Sequence, residues 1–399
     1  MTASMILVLN SGSSSLKFSI FNSADQTEPV SGLAENLGQP DARLTVRSAD
    51  GKTSRELPGA DHQVALEALV AALSERGFSP EHWLAAGHRV VHGAESFSAS
   101  VRVTEDIVQR IDDISHLAPL HNPANLEGIR ALSRLLPDLP QVAVFDTAFH
   151  QTIPAAAYTY ALPYHLYEDH GIRRYGFHGT SHRYVSSEAV RLLQLEPDHH
   201  RVITAHLGNG CSACAVKNGQ SLDTTMGMTP LEGLVMGTRS GDVDPSIHLF
   251  LHERTGMNLA EITGLLNRES GLLGISGLSN DMRTLLAAAE DGHARAELAI
   301  EVFCYRLARG ISSLLVATGG LDALVFTGGI GENAAGVRER TVYHLGWLGL
   351  NLDVTANLNH GRYQQGIIST TQEPAVLVIP TREEWMIAQD TQALVANAR

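Results

Sequence analysis

Cysteine is scarce, with three in 399 residues. So low and odd a number in a long chain argues against a disulfide framework. Long hydrophobic runs are missing as well, and no apolar stretch approaches the ~18 residues that a membrane span needs. The N-terminal run Met5–Leu9 is short and no basic segment precedes it, so a signal peptide is not expected. Positive charge is in deficit: 29 Lys and Arg stand against 43 Asp and Glu, a net charge of −14. No nucleic-acid partner and no membrane partner are therefore expected, and any anionic ligand must be held by local donors against that field. A low-complexity linker is absent, and so is a Walker A loop of the form G-x-x-x-x-G-K-[ST]. The expectation is a soluble, cytoplasmic protein.

What is present suits a large core. With 44% hydrophobic residues over this length, two globular domains are expected, three at most. Glycine, at 36, suits tight turns and close backbone approach to a ligand. The chain is organised around Ile6–Phe21, ILVLNSGSSSLKFSIF. Two apolar, strand-forming runs flank the polar turn Asn10–Ser15, and Lys17 follows it. Such a turn offers backbone N–H and hydroxyl donors, and with the lysine it is a plausible phosphate cradle. An ordinary serine-rich hairpin accounts for the stretch as well.

Further along, residues 22–60 read as short strands. Asp61–Gly77 reads as a helix with Asp61 as its cap and Gly77 as its stop. Trp83–Gly93 reads as a strand carrying His88, Arg89 and His92 at its end, and Ile107–Leu117 as a helix. Pro123 opens a helix through Leu136, and Gln141–Asp146 is a buried strand ending on a carboxylate. Val202–Gly219, VITAHLGNGCSACAVKNG, repeats the logic of the opening hairpin, which suggests two domains of similar topology. Asp244 is expected to cap, and Pro245 to start, a helix. A long amphipathic helix carries Phe303, Leu307, Ile311 and Leu314 on one stripe. Ala323–Asn333 reads as strand, glycine turn and helix start, and Ala375–Ile379 as the last strand.

Each candidate site has a plain alternative. Gly328, Gly329 and Gly331 let the backbone approach a phosphate at a helix start. Gly329–Ala334 also matches the loose dinucleotide fingerprint G-x-G-x-x-A, with Asp353 downstream. Cys211 and Cys214 face opposite sides of a strand, so small packing residues are the favoured reading over a metal pair. His88/His92 and His178/His182 have the i, i+4 spacing that suits zinc only on a helix, and the neighbouring glycines argue for loops. Arg89 and Arg239 sit in glycine-flanked loops, where a guanidinium fork suits carboxylate or phosphoryl oxygens; a surface ion pair is the alternative. Asp146 and Glu383 are candidate magnesium-side carboxylates.

The segments LVLNSGSSSLKFS, HRVVHGA, APLHNP, VFDTAFH, RRYGFHGTSH, HLGNGCSA, MGTRSGDVDP, FTGGIGEN and VIPTREE occur in this order from Met5 to past Glu384. Together they resemble the acetate and propionate kinase family. Ala94, Cys211 and Arg382 depart from the family's usual residues, and none of them has a proposed chemical role. The resemblance implies an α/β fold of the actin, Hsp70 and hexokinase (ribonuclease H-like) type: two duplicated domains with an active-site cleft between them. The expected division is 1–149 and 150–384, with a C-terminal helix, 385–399, packing back on the first domain.

The implied activity is reversible, Mg2+-dependent transfer of a phosphoryl group from ATP to acetate, directly and in line, giving ADP and acetyl phosphate. Mn2+ is expected to substitute for Mg2+, and a homodimer is expected from the family. By the resemblance, Asn10 and Glu383 would hold the metal and Lys17 would lie near the phosphates. His206, Leu207, Gly208, Asn209 and Gly210 would form a second phosphate hairpin. Asp281, Met282 and Arg283, with Gly329, Ile330, Gly331, Glu332 and Asn333, would border the nucleoside. Arg89 would grip the acetate carboxylate against an apolar wall of Val91, Leu120, Phe177 and Pro230. Asp146 matches the family's catalytic carboxylate, steering Arg89 or the metal, and His178 and Arg239 would stabilise the phosphoryl group in flight. A short-chain carboxylate kinase acting on propionate is the near alternative. An actin- or Hsp70-like ATPase leaves the proposed acceptor pocket unexplained, and a nicotinamide dehydrogenase leaves the opening hairpin unexplained.

Overall fold

The apolar runs Ile6–Leu9 and Phe18–Phe21, buried throughout, form the first two strands, β1 (Met5–Gly12) and β2 (Ser15–Asn22), in the computed structural model, which describes residues 4–371 and 373–396. They pair antiparallel, with Asn10 opposite Lys17 and Gly12 opposite Ser15. The polar stretch that follows continues the meander as β3 (Val30–Glu35), β4 (Arg43–Ser48) and β5 (Gly51–Glu56). β5 is exposed along its whole length and carries Lys52, Arg55 and Glu56, charges that discourage pairing at a sheet edge. β6 (Trp83–Val90) lies parallel to β1 on its other side. β7 (Val101–Arg102) is a short edge strand, and β8 (Gln141–Phe145) lies parallel to β6. The sheet order is β5-β4-β3-β2-β1-β6-β8-β7.

The second sheet contains β9 (Arg201–Leu207), β10 (Cys211–Lys217), β11 (Gln220–Thr224), β12 (Ala323–Thr327) and β13 (Ala375–Val378), in the order β11-β10-β9-β12-β13. Removing β4, β5 and β7 from the first sheet leaves β3-β2-β1-β6-β8. Both cores therefore consist of three antiparallel strands followed by two parallel ones. The fold is α/β and duplicated, as the two hairpins in the sequence suggested.

Parallel neighbours need long crossovers, which here are helical. Helix His62–Ser74 leads to β6. It is capped by Asp61, whose carboxylate accepts from Val64 N, and it buries Ala65, Leu66, Leu69 and Leu73. Helix Asn122–Leu135, opened by Pro123, leads to β8. Helix Ala294–Thr318 leads to β12 and buries the stripe Phe303, Leu307, Ile311 and Leu314. Among the described residues no helix is long and apolar enough to cross a membrane.

The chain divides into two compact units. The second is Phe149–Thr381, and the first comprises the chain up to Ala148 and from Arg382 onward. Helix Glu383–Ala396 thus belongs to the first unit, where it packs on β6. Gly87 makes this possible: a Cβ there would overlap Thr391 Oγ1 and lie 2.7 Å from Ile387 Cγ2. The expected division places Glu383 and Glu384 in the second domain; their contacts put both in the first unit.

Other boundaries moved for identifiable reasons. The helix expected from Pro245 starts at Ile247, because Asp244 accepts from Ser246 N in a local turn and caps no helix. The expected helix Ile107–Leu117 is Glu105–Asp113, capped by Thr104, followed by a 3-10 turn Ser115–Leu117. A separate helix, Met282–Glu290, precedes the long one, capped by Asp281.

His88 lies fully buried in β6. Its Nε2 donates to Gln141 Oε1 at 2.7 Å, and its Nδ1 has no hydrogen-bond partner among the described residues. Burial pushes its pKa down from 6.5 to about 4, the Gln141 bond opposing this. A base whose folded pKa is depressed loses stability as pH falls through its unfolded value, because the unfolded chain takes up the proton first. Stability should therefore drop between pH 6.5 and 4, with His88 contributing about 3 kcal/mol of the loss. Denaturant unfolding across that window should show a flatter pH slope for His88→Leu; an unchanged slope would remove His88 as the cause.

Candidate active site

In the first unit the parallel strands β6 and β8 end side by side, Arg89 opposite Val144. Asp146 follows β8 directly, which puts it within reach of Arg89. The two form a fork: Arg89 Nε donates to Asp146 Oδ1 at 2.9 Å and Nη2 donates to Oδ2 at 2.6 Å. Asp146 is buried, whereas the Arg89 side chain keeps 24% of its surface exposed. Burial pulls the guanidinium pKa down and the Asp146 charge more than offsets it, so Arg89 stays charged. Glu383, in the first turn of the C-terminal helix, has its pKa pushed up to about 7 by burial. The Asp146 and Glu384 charges add to the rise, and Arg89 and Lys17 oppose it. Lys17 pairs directly with Glu384, which it holds below its ordinary value despite burial.

The strand-to-loop exit at Val91 and His92 is fixed by two asparagines that sequence reasoning did not single out. Asn125 Oδ1 accepts from Val91 N at 3.0 Å while its Nδ2 donates to Ser11 O at 2.7 Å, so one amide ties the exit loop to the opening hairpin. Asn122 holds both His92 N and His92 O. Their signal in the sequence was H-N-P-A-N, two amides on the first turn of a helix. Leu120, just before them, is 69% exposed.

In the second unit β9 and β10 turn through Gly208–Gly210, where Gly208 N donates to Gly210 O. Gly208 and Asn209 line a cavity of about 650 Å³ with Asn280, Asp281, Met282, Arg283, Gly329, Ile330 and Asn333. Three of the sequence-predicted segments thus meet around one space. Gly331 and Glu332 do not line it. The Glu332 carboxylate turns inward and accepts from Gly328 N and Thr381 N, which shapes the glycine turn. The Asp281 carboxylate accepts from Arg283 N and Thr284 N and pairs with the Arg283 guanidinium, whose hydrogen bond leads in holding its pKa near 2. Asp353 caps a short helix through Ala356 N, so the dinucleotide fingerprint lacks its acidic partner.

At the other end of the same turn, a Cβ built on Gly210 would lie 3.4 Å from Arg239 Nη1 and 3.5 Å from His178 Nε2. Arg239 is anchored by donation from Nη1 to Pro230 O at 3.0 Å, and burial lowers its pKa. The His178 ring stacks on His206 at 4.3 Å between centroids. His206 accepts or donates at Ser181 Oγ, 2.8 Å away, and Leu207 is buried. Phe177 is buried too, and its carbonyl bonds His150 Nε2. His182, expected in a loop, lies in the first turn of helix Gly179–Leu193 because the helix begins directly after His178. Its ring serves Thr204 and Ser212. Among the described residues no three His, Cys, Asp or Glu side chains form a metal-holding group. Cys211 and Cys214 are both buried, and burial pushes each thiol up to about 12.

Duplicated mixed sheets, with a glycine turn bordering a nucleoside-sized cavity, define the class: a two-domain fold of the actin and hexokinase type. Within that class the chain belongs to the acetokinase family, whose model matches residues 5–389. The chain is 56% identical over 395 residues to the acetate kinase of Stutzerimonas stutzeri strain A1501, covering 99% of this chain and 100% of the relative. Its fold is similar to that of a propionate kinase from Francisella tularensis (TM-score 0.93, 47% identity, 98% and 100% of the two chains). It is also similar to Porphyromonas gingivalis acetate kinase (TM-score 0.92, 44% identity, again 98% and 100%).

Arg338 also escaped sequence reasoning, although it braces the glycine turn at Gly331 and Glu332. Fully buried and with burial lowering its pKa to about 10, it donates to Gly331 O, Glu332 O, Asn357 Oδ1, Asn357 O and His360 Nδ1. Arg338→Met strands these acceptors and should cost about 3 kcal/mol. Arg338→Lys should recover little, since a single ammonium cannot span the fork. Equilibrium unfolding measures both; a loss under about 1 kcal/mol would show that the loop is held by other contacts.

Proposed function

We propose that this chain catalyses the reversible transfer of the ATP γ-phosphoryl group to acetate, giving acetyl phosphate and ADP. The observation that carries the reading is the Gly208–Gly210 turn, which borders the cavity at one end and meets His178 and Arg239 at the other. A nucleotide whose base and ribose occupy the cavity would run its phosphates along the turn's backbone toward those two donors.

Acetate is ionised at neutral pH, so the reaction needs no base to activate it. Arg89 is the residue for its carboxylate. A guanidinium carries five N–H donors; Asp146 engages the Nε and Nη2 groups, which fixes the plane of the fork and leaves donors for the substrate. Asp146 acts as the positioner of Arg89 and takes no proton. Val91 and Leu120, in the same unit as Arg89, supply apolar surface for the methyl group. Phosphoryl transfer demands little covalent work from the protein, so positioning and charge stabilisation dominate. His178 and Arg239 donate to the equatorial oxygens as charge redistributes, and no phosphoenzyme forms.

The residues also fit a magnesium ion. Glu383 is a carboxylate held near neutrality by burial, which a cation would return to its charged form, and Asn10 supplies an amide oxygen. Magnesium keeps several waters and uses one or two carboxylates with substrate phosphate; Mn2+ suits the same donors. The ion would neutralise phosphate charge. Lys17, next to Glu383 through its pairing with Glu384, adds positive charge. A cytoplasmic homodimer completes the reading.

Acyl phosphate formed from MgATP with acetate, propionate and butyrate, trapped as hydroxamates, tests the activity and its acceptor together. One methylene is worth about 1–3 kcal/mol, so acetate should be preferred over propionate by roughly 10- to 200-fold in kcat/KM. A preference for propionate would favour the activity named for the Francisella relative, and no product from any acid would overturn the reading. Val91→Ala should shrink the acetate preference; an unchanged ratio removes Val91 from the pocket. His178→Ala should lower kcat by roughly 10²–10³-fold and move KM much less. His178→Gln, which keeps a donor, should recover part of the rate, whereas a phosphohistidine route would recover nothing.

A further inference from the structure

Beside the transfer residues lies a row of buried polar groups with no part in the chemistry above. Alternate residues of a strand share a face. Thr204 and His206 therefore project together from β9, and Ser212 of β10, opposite His206, joins them. Helix Gly179–Leu193 packs against β9 and brings His178 and His182 to the row. Thr204, His182 and Ser212 are all fully buried. His182 Nδ1 is 2.7 Å from Thr204 Oγ1 and its Nε2 is 2.8 Å from Ser212 Oγ, which in turn is 2.9 Å from His178 Nδ1.

Each of these hydrogen bonds holds one proton, and the direction is set at Thr204. Among the described residues His182 Nδ1 is the one partner of the Thr204 hydroxyl. The hydroxyl proton therefore points to His182, since a buried donor without an acceptor is costly. Burial keeps His182 neutral, its pKa held well below the ordinary value, with His150 and His206 adding to the effect. Its single proton then sits on Nε2 and is donated to Ser212 Oγ. Ser212 passes its own proton to His178 Nδ1, leaving the His178 proton on Nε2. That nitrogen faces the Gly208–Gly210 turn. The His178 backbone is in the left-handed region, φ 57°, a conformation that surrounding contacts must hold for a residue of this size.

We propose that Thr204, His182 and Ser212 form a positioning relay that locks His178 as its Nε2–H tautomer, so that the ring presents a donor and never a lone pair to the transferring phosphoryl group. The inference rests on the role given to His178 above. It makes Thr204, which reaches His178 only through His182 and Ser212, a determinant of rate.

The tautomer is readable in the full-length protein without substrate. With 15N-labelled histidine, a two-bond 1H–15N correlation spectrum distinguishes Nδ1–H from Nε2–H rings, and His178→Gln identifies the His178 signals. Nε2–H is expected in the native protein. Thr204→Val keeps the strand's shape but removes the proton that sets the direction, so His178 should shift toward Nδ1–H. In parallel, kcat should fall about 10- to 100-fold, the scale for partners that orient a functional histidine, with little change in KM. Thr204→Ser should restore both readouts. Ser212→Ala, which breaks the relay in the middle, should act like Thr204→Val and replaces it if that variant does not fold. An Nδ1–H ring in the native protein, or an unchanged tautomer in the folded variants, would overturn the relay. Failure of the native protein to make acyl phosphate would overturn the function instead, and the tautomer experiment stands apart from that result.

Discussion

Buried polar groups must find partners, and around the candidate site this requirement fixes nearly every side chain. Asp146 could not stay buried and charged without a cation, and Arg89 supplies one through two N–H groups. Asn122 and Asn125 turn their amides onto backbone that the end of β6 leaves unpaired. Arg338 spends two donors on the Gly331 and Glu332 carbonyls of the glycine turn and the rest on Asn357 and the His360 ring. Thr204, His182 and Ser212 satisfy one another in a line. A side chain so held has lost its rotamer freedom before a substrate arrives, which is what preorganisation requires.

The same constraint explains how a chain of net charge −14 can handle anionic substrates. Its relevant cations are few and individually placed. Arg89 is held by Asp146, Arg239 by the Pro230 carbonyl, and Lys17 by Glu384. Backbone N–H groups of the glycine turns supplement them without adding formal charge. The excess acid elsewhere lies on a surface that has no need to attract phosphate.

Sequence reasoning found what depends on local pattern. Apolar runs flanking polar turns marked both hairpins, Asp61 and Pro123 marked helix starts, and the ordered motifs gave the family. It missed what depends on distant partners. Glu332 looked like part of the nucleotide border because it sits in the glycine motif; Gly328 N and Thr381 N claim its carboxylate instead. Arg338 carried no signal, since a lone arginine in a helix usually reads as surface. Glu383 and Glu384 were assigned to the wrong unit because nothing local in P-T-R-E-E announces that the next helix packs on β6.

The sequence by itself determined the strands, most helices, the duplicated α/β class and the residue types able to do phosphoryl chemistry, because apolar runs, helix caps and glycine turns act over a few residues. Tertiary structure alone decided which carboxylate neutralises which cation, which carbonyls close the glycine turn, and which way the protons run between Thr204 and His178. Those outcomes depend on burial and on angles between groups that the chain brings together from 57 residues apart at the Arg89–Asp146 fork and 367 apart at the Lys17–Glu384 pair, and no local pattern encodes either.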